Sequence, residues 1–122
     1  MGMTPEGKVK KAVKAYFKEL GAWYYMPMSN GMGRVGCPDF IVCYRGLFFA
    51  FETKAPGKIN NVTPNQEREI FEIIQAAGVA VVVDDVKQVR DTIDAKIIAN
   101  RITDEGGLQQ KTFSPEEASR PE

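Results

Sequence analysis

Apolar residues recur along the first hundred positions in blocks of changing period, and the blocks read as seven elements. Val9, Val13, Tyr16, Phe17 and Leu20 fall at helical spacing, while Lys8, Lys10, Lys11, Lys14 and Lys18 fill most of the remaining face. Thr4-Pro5 supplies an N-cap and a first helical position, and Gly21 a left-handed stop. Residues 22–28 read as a strand and residues 29–36, with three glycines, as a loop. Two apolar runs, 38–44 and 47–54, flank Arg45-Gly46 and form a hairpin, followed by a loop over 55–62. Thr63-Pro64-Asn65-Gln66 is a capping box that opens a second helix, running to Ala77 and stopping at Gly78. Val79–Val83 is apolar throughout and is expected to be a central strand covered on both faces. Asp84 or Asp85 caps a third helix to about residue 98, with Val86, Val89, Ile93 and Ile97 as its stripe.

A strand, a helix and an apolar strand in succession imply a parallel crossover. The expected fold class is therefore α/β, in the order α-β-β-β-α-β-α around a mixed sheet. One domain is expected over residues 1–100. Residues 101–122 are polar and acidic and are expected to form a poorly ordered tail.

Composition narrows the chemistry. At 43% hydrophobic and 26% charged residues the chain is ordinary for a soluble domain, and no apolar run is long enough to span a membrane. The lysine-rich amphipathic start lacks a signal-peptide pattern, so the expected location is cytoplasmic. Cys37 and Cys43 lie too close along one strand to bridge, and are expected to be buried thiols in a reducing compartment. The absence of histidine excludes the usual serine and cysteine triads and imidazole metal sites. Net charge is zero, but residues 1–60 carry nine Lys/Arg against four Asp/Glu, and residues 61–122 seven against twelve. A basic N-terminal half suits contact with a polyanion, and equally suits a solvated helix.

The hairpin places the chemistry. With a two-residue turn, Tyr44 pairs with Leu47, Cys43 with Phe48, Ile41 with Ala50 and Asp39 with Glu52. Opposed residues share a face, with Cβ atoms about 4.5–5.5 Å apart, and like charges so placed repel unless neutralised. Lys54, two residues past Glu52, projects from the same face. A glycine bulge at Gly46 would instead make Asp39 and Glu52 diagonal neighbours. Two carboxylates and an ammonium at one end of a sheet equip a metal-dependent phosphodiesterase. Asp39 and Glu52 would supply the one or two carboxylates that Mg²⁺ prefers. Lys54 would orient the attacking water or stabilise phosphate charge. The plainer readings are a turn residue for Asp39, a strand-end charge for Glu52 and an ion pair for Lys54. In the glycine-rich loop, Ser29, Asn30 and Arg34 are phosphate-contact candidates, Arg34 as a bidentate clamp; the alternative is an ordinary loop. Lys8, Lys11 and Lys58 are further candidates for contact with a phosphate backbone. Met26, Met28, Phe48, Phe49 and Phe51 read as core or interface.

Pro38-Asp39, a spacer of twelve residues, and Glu52-Thr53-Lys54 resemble the PD-(D/E)xK nuclease superfamily and its restriction-endonuclease-like fold. With Glu6 in the first helix, the loop ending in Gly36-Cys37-Pro38-Asp39, and Gln66 opening the second helix, the chain is similar to a stand-alone VRR-NUC domain. Such domains are carried by phages and bacteria. It also resembles the nuclease part of the Fanconi-associated nuclease and, more distantly, archaeal Holliday junction resolvases. The resemblance implies Mg²⁺, with Mn²⁺ substituting, no organic cofactor, branched DNA as substrate and a homodimer. It implies that the Thr53 backbone carbonyl is a further metal ligand. By the same resemblance Glu6 would serve a second metal or a metal-bound water, where the bare sequence offers only a helix-dipole carboxylate. Gln66 would hydrogen-bond toward Lys54 or the substrate, where the bare sequence offers only the capping partner of Thr63. The alternatives in other classes are a non-catalytic nucleic-acid-binding module on the same fold, and a small α/β structural protein.

Overall fold

A computed structural model describes residues 2–28 and 33–103. The order is α1 (Pro5–Leu20), β1 (Trp23–Tyr25), β2 (Phe40–Tyr44), β3 (Leu47–Thr53), α2 (Pro64–Gln75), β4 (Val79–Val83) and α3 (Val86–Thr103). The expected α-β-β-β-α-β-α order and mixed sheet are therefore present. Thr4 caps α1 by accepting from the Gly7 N–H at 3.0 Å, and Gly21 ends it in the left-handed region at φ 76°. β1 is shorter than the expected 22–28, and α2 stops at Gln75. α3 runs five residues past the expected end and crosses the expected domain boundary at residue 100. The expected tail beyond residue 103 lies outside the described residues.

The hairpin turn settles the register. Arg45 (φ 54°) and Gly46 (φ 79°) are both left-handed, the signature of a two-residue turn whose twist matches its strands. Tyr44 pairs with Leu47, Cys43 with Phe48, Ile41 with Ala50 and Phe40 with Phe51, with no bulge. One step further along this register sets Asp39 opposite Glu52. β1 adds antiparallel to β2, and β4 adds parallel to β3 through the α2 crossover.

The strand order is β1-β2-β3-β4, so β4 is an edge strand and not the expected central one. Its uniform apolarity has another cause: the crossover lays α2 on one face of β4, and α3 packs on the other. Coverage above and below, not lateral position, set the pattern.

One face of the sheet carries the core. Phe40, Val42, Phe49, Phe51 and Val83 are buried there with Val9, Val13 and Phe17 of α1 and Val89 and Ile93 of α3. Phe17 sits edge-on to Phe40 at 5.3 Å and tilted against Phe51 at 5.8 Å. The opposite face is only half covered. α2 packs over the β4 side, and Trp23 (62% exposed), Tyr25, Cys43 and Phe48 on β1, β2 and β3 stay exposed. Cys43 is thus not the buried thiol expected, because among the described residues no helix reaches its part of that face; Cys37 is half-buried, and both thiols are free. Of the aromatic and methionine residues read as core or interface, Phe49 and Phe51 are core and Met26 is partly buried. Met28 and Phe48 are exposed. The acidic hairpin end belongs to this open face, which positions the site.

Candidate active site

Three elements meet at the open end of the hairpin. Asp39 stands just before β2, Glu52 and Thr53 close β3, and the first turn of α2 brings in Gln66. The α2 turn can approach because residue 36 is glycine. It sits at φ +83°, and a Cβ there would fall 2.5 Å from the Asn65 carbonyl carbon and 2.7 Å from the Gln66 nitrogen. The cleft is about 830 Å³, with Asp39, Glu52 and Gln66 among its lining and Tyr25, Met28 and Val35 forming an apolar flank.

Asp39 is fixed by its neighbour across the hairpin. Its Oδ2 accepts from the Thr53 backbone N–H at 3.0 Å and from the Thr53 hydroxyl at 2.6 Å. Its Oδ1 faces Lys10 Nζ of α1 at 3.6 Å. Glu52 (5% exposed) and Lys54 (7% exposed) are buried side by side, with Lys54 Nζ 3.6 Å from Glu52 Oε2. Gln66 joins them: its Nε2 donates to Glu52 Oε2 at 3.1 Å, and its Oε1 accepts from Lys54 Nζ at 3.0 Å. The same Oε1 accepts from the Thr63 N–H at 3.0 Å, completing the capping box. The capping and site roles of Gln66 therefore coexist, because one amide oxygen has two lone pairs.

Burial pushes the Glu52 carboxyl up to about 7, the Asp39 charge pushes the same way, and Lys54 opposes. The carboxylate of Glu6, in the first turn of α1, adds a smaller push. Among the described residues no group of three or more His, Cys, Asp or Glu side chains is arranged to hold a metal. Asp39 and Glu52 are the acids that converge, and Glu6 of α1 contributes only through its charge.

The remaining residues are placed as follows. Arg34 is not free to clamp a phosphate. Its Nε and Nη2 pair with Glu69, and Nη2 also reaches Glu72. Glu69 is 4% exposed on α2, and a carboxylate buried that far needs a cation. The Arg34 hydrogen bond holds the Glu69 carboxyl below its ordinary value. Arg34 therefore straps the glycine-rich loop to α2, as does Arg68 by donating to the Val35 carbonyl at 3.4 Å. Ser29 and Asn30 lie outside the described residues. Lys8 and Lys11 are exposed on α1, and Lys58 is exposed on the loop before α2. Sequence reasoning missed the Thr53 side chain, Lys10 and Glu69. The four-residue spacing from Glu6 to Lys10 was a usable signal for the second. Nothing local marked Glu69, whose partner is 35 residues away.

No protein-family model matches the sequence, and no curated protein matches it. Among solved structures, one described as a VRR_NUC domain matches with 33% identity and a TM-score of 0.60. The match covers 75% of this chain and 97% of that one. This chain belongs to the VRR-NUC family. Its α/β architecture is accordingly the restriction-endonuclease-like fold, and it is a nuclease-type, nucleic-acid-acting module. In this VRR-NUC domain the Pro-Asp and Glu-x-Lys elements are adjacent in space as well as in motif. Its convergent acidic donors are carboxylate oxygens, a class that suits a hard divalent cation.

Proposed function

We propose that this VRR-NUC protein is a Mg²⁺-dependent DNA endonuclease that hydrolyses phosphodiester bonds in branched DNA as a homodimer. The carrying observation is the closed set Asp39, Glu52, Lys54 and Gln66: two opposed acids, a buried lysine and an amide hydrogen-bonded to both Glu52 and Lys54. A surface ion pair would not need Gln66 as a bridge, nor bury Lys54 to 7% exposure.

Asp39, Glu52 and the Thr53 carbonyl would hold Mg²⁺. Bound there, the cation offsets charge on the phosphoryl oxygens and acidifies water. Thr53 fixes the Asp39 carboxylate by two hydrogen bonds to Oδ2, so Oδ1, which faces Lys10, is aimed before any divalent cation arrives. Lys54, held by Gln66 Oε1 and set beside Glu52, keeps its remaining N–H donors for a water or a phosphate oxygen. Gln66 couples Glu52 to Lys54, so displacement of one moves the other. The Glu6 charge, felt at Glu52, favours positive charge in the cleft.

For the pairing of two copies we propose the half-covered sheet face. Trp23, Tyr25 and Phe48 leave more apolar surface together than a scattered exterior requires. Two-fold pairing would present two sites for symmetric cuts in a junction.

The test is cleavage of a four-way junction, a 5′ flap, a single strand and a duplex, with Mg²⁺, Mn²⁺ or chelator. Cation-dependent cutting, strongest on the junction and lost in Asp39→Ala and Lys54→Ala, is the expected result. Metal-independent DNA binding with no cutting of any substrate would assign the fold to a non-catalytic binding module instead.

A further inference from the structure

The two oxygens of Asp39 have different company. Oδ2 is saturated by the Thr53 N–H and hydroxyl, whereas Oδ1 faces Lys10 Nζ at 3.6 Å. Lys10 stands one helical turn after Glu6, so the start of α1 brings a carboxylate and an ammonium to the same corner. The two lysines at the site are held differently. The Lys54 side chain is 9% exposed and anchored to Gln66, while that of Lys10 is 35% exposed and meets Asp39 at ionic distance only. A contact of that kind is weak and readily exchanged.

We propose that Lys10 is a positioning cation that trades places with the metal. It neutralises Asp39 Oδ1 while the acidic pair lacks a divalent ion, and moves to a DNA phosphate when the ion takes that oxygen. The inference rests on the metal-dependent reading above. An ammonium and a divalent cation cannot share Oδ1 without repelling each other. The released side chain has a flexible four-carbon stem, a compact charge and three donors, and it starts at the cleft edge. Part of the coupling between metal and DNA binding then runs through Lys10, and that coupling is reciprocal.

The experiment uses the full chain as wild type, Lys10→Gln and Lys10→Arg, with Ca²⁺ as the probe ion. Isothermal titration without DNA measures ion affinity. Fluorescence anisotropy of a labelled four-way junction, in Ca²⁺ and in chelator, measures the gain in DNA affinity that the ion brings. Lys10→Gln is expected to bind Ca²⁺ about threefold to fivefold more tightly, and to lose a similar factor from the Ca²⁺-induced gain. Lys10→Arg keeps the charge and is expected to retain most of that gain. Wild-type Ca²⁺ binding that is unchanged in Lys10→Gln, with an unchanged gain on DNA, overturns the role of Lys10 alone. A wild type that binds no Ca²⁺ and shows no ion-dependent DNA affinity overturns the metal-dependent reading, and the Lys10 exchange with it.

Discussion

Replacing Glu52 by glutamine isolates what the crowded acidic pair costs the fold. The Glu52 carboxyl is pushed from 4.5 up to about 7, first by burial and then by the Asp39 charge, with Lys54 opposing. Its folded state therefore holds the proton more tightly than its unfolded state. The contribution of this group is intact below about pH 4.5, falls as pH rises toward 7, and stays low above. At about 1.36 kcal/mol per pH unit, the interval from 4.5 to about 7 sets a ceiling of roughly 3 kcal/mol. Glutamine keeps the shape, and its amide oxygen can still accept from Gln66 Nε2. The variant loses the ionic partner of Lys54, which offsets part of the gain. In chelator, Glu52→Gln should be about 1–2 kcal/mol more stable than wild type at pH 8 and near equal at pH 5. Urea unfolding followed by circular dichroism at pH 5, 6, 7 and 8 measures this. At pH 8 the gain corresponds to a rise of roughly 4–8 °C in Tm per kcal/mol for a domain of this size. Saturating Mg²⁺ should stabilise the wild type at pH 8 and leave the variant nearly unchanged. Parallel pH profiles for the two proteins in chelator would refute the reasoning, because they would mean that the buried carboxylate carries no electrostatic strain.

Gln66→Ala removes the N3 partner of the capping box and strips a hydrogen bond from each of Glu52 and Lys54. It should cost about 2–3 kcal/mol by urea unfolding, against about 1 for a cap alone. Gly36→Ala meets both a left-handed φ and the Asn65 backbone, and should cost about 1–3 kcal/mol by the same assay. Glu69→Gln tests the Arg34 strap through pH. The Glu69 carboxyl lies below its ordinary value, so its stabilisation is present above about pH 4.5 and is lost as pH falls through the lowered value. The variant's acid limb should therefore be flatter than that of wild type in a thermal melt series. Trp23→Glu, on the open sheet face, tests the proposed pairing: sedimentation is expected to move from dimer to monomer, and a wild type that sediments as a monomer overturns the pairing.

Short-range physics made much of this protein legible from its sequence. Arg45-Gly46 between two apolar runs marked the hairpin and narrowed its register to a two-residue turn or a glycine bulge; the left-handed Arg45 and Gly46 of the structure decided for the first, and with it the opposition of Asp39 and Glu52. Thr4, Gly21 and the Thr63–Gln66 box marked helix ends because caps satisfy backbone groups within four residues. The Pro-Asp and Glu-x-Lys elements pointed to the family that the structural match then showed.

Lateral order and long-range pairing needed the tertiary structure. An all-apolar strand reports coverage above and below but not beside, so β4 read as central and lies at the edge. Alternation shows which residues share a face, but not whether a helix lies on it. Cys43 was therefore expected to be buried and is exposed. Arg34, read as a phosphate clamp or part of an ordinary loop, is set by packing against Glu69 of α2, and Lys10, one of five lysines read as facing a polyanion or solvent, is brought by α1 to Asp39. Charges choose partners by distance in space and by burial, and both are properties of how helices dock on the sheet, not of spacing along the chain.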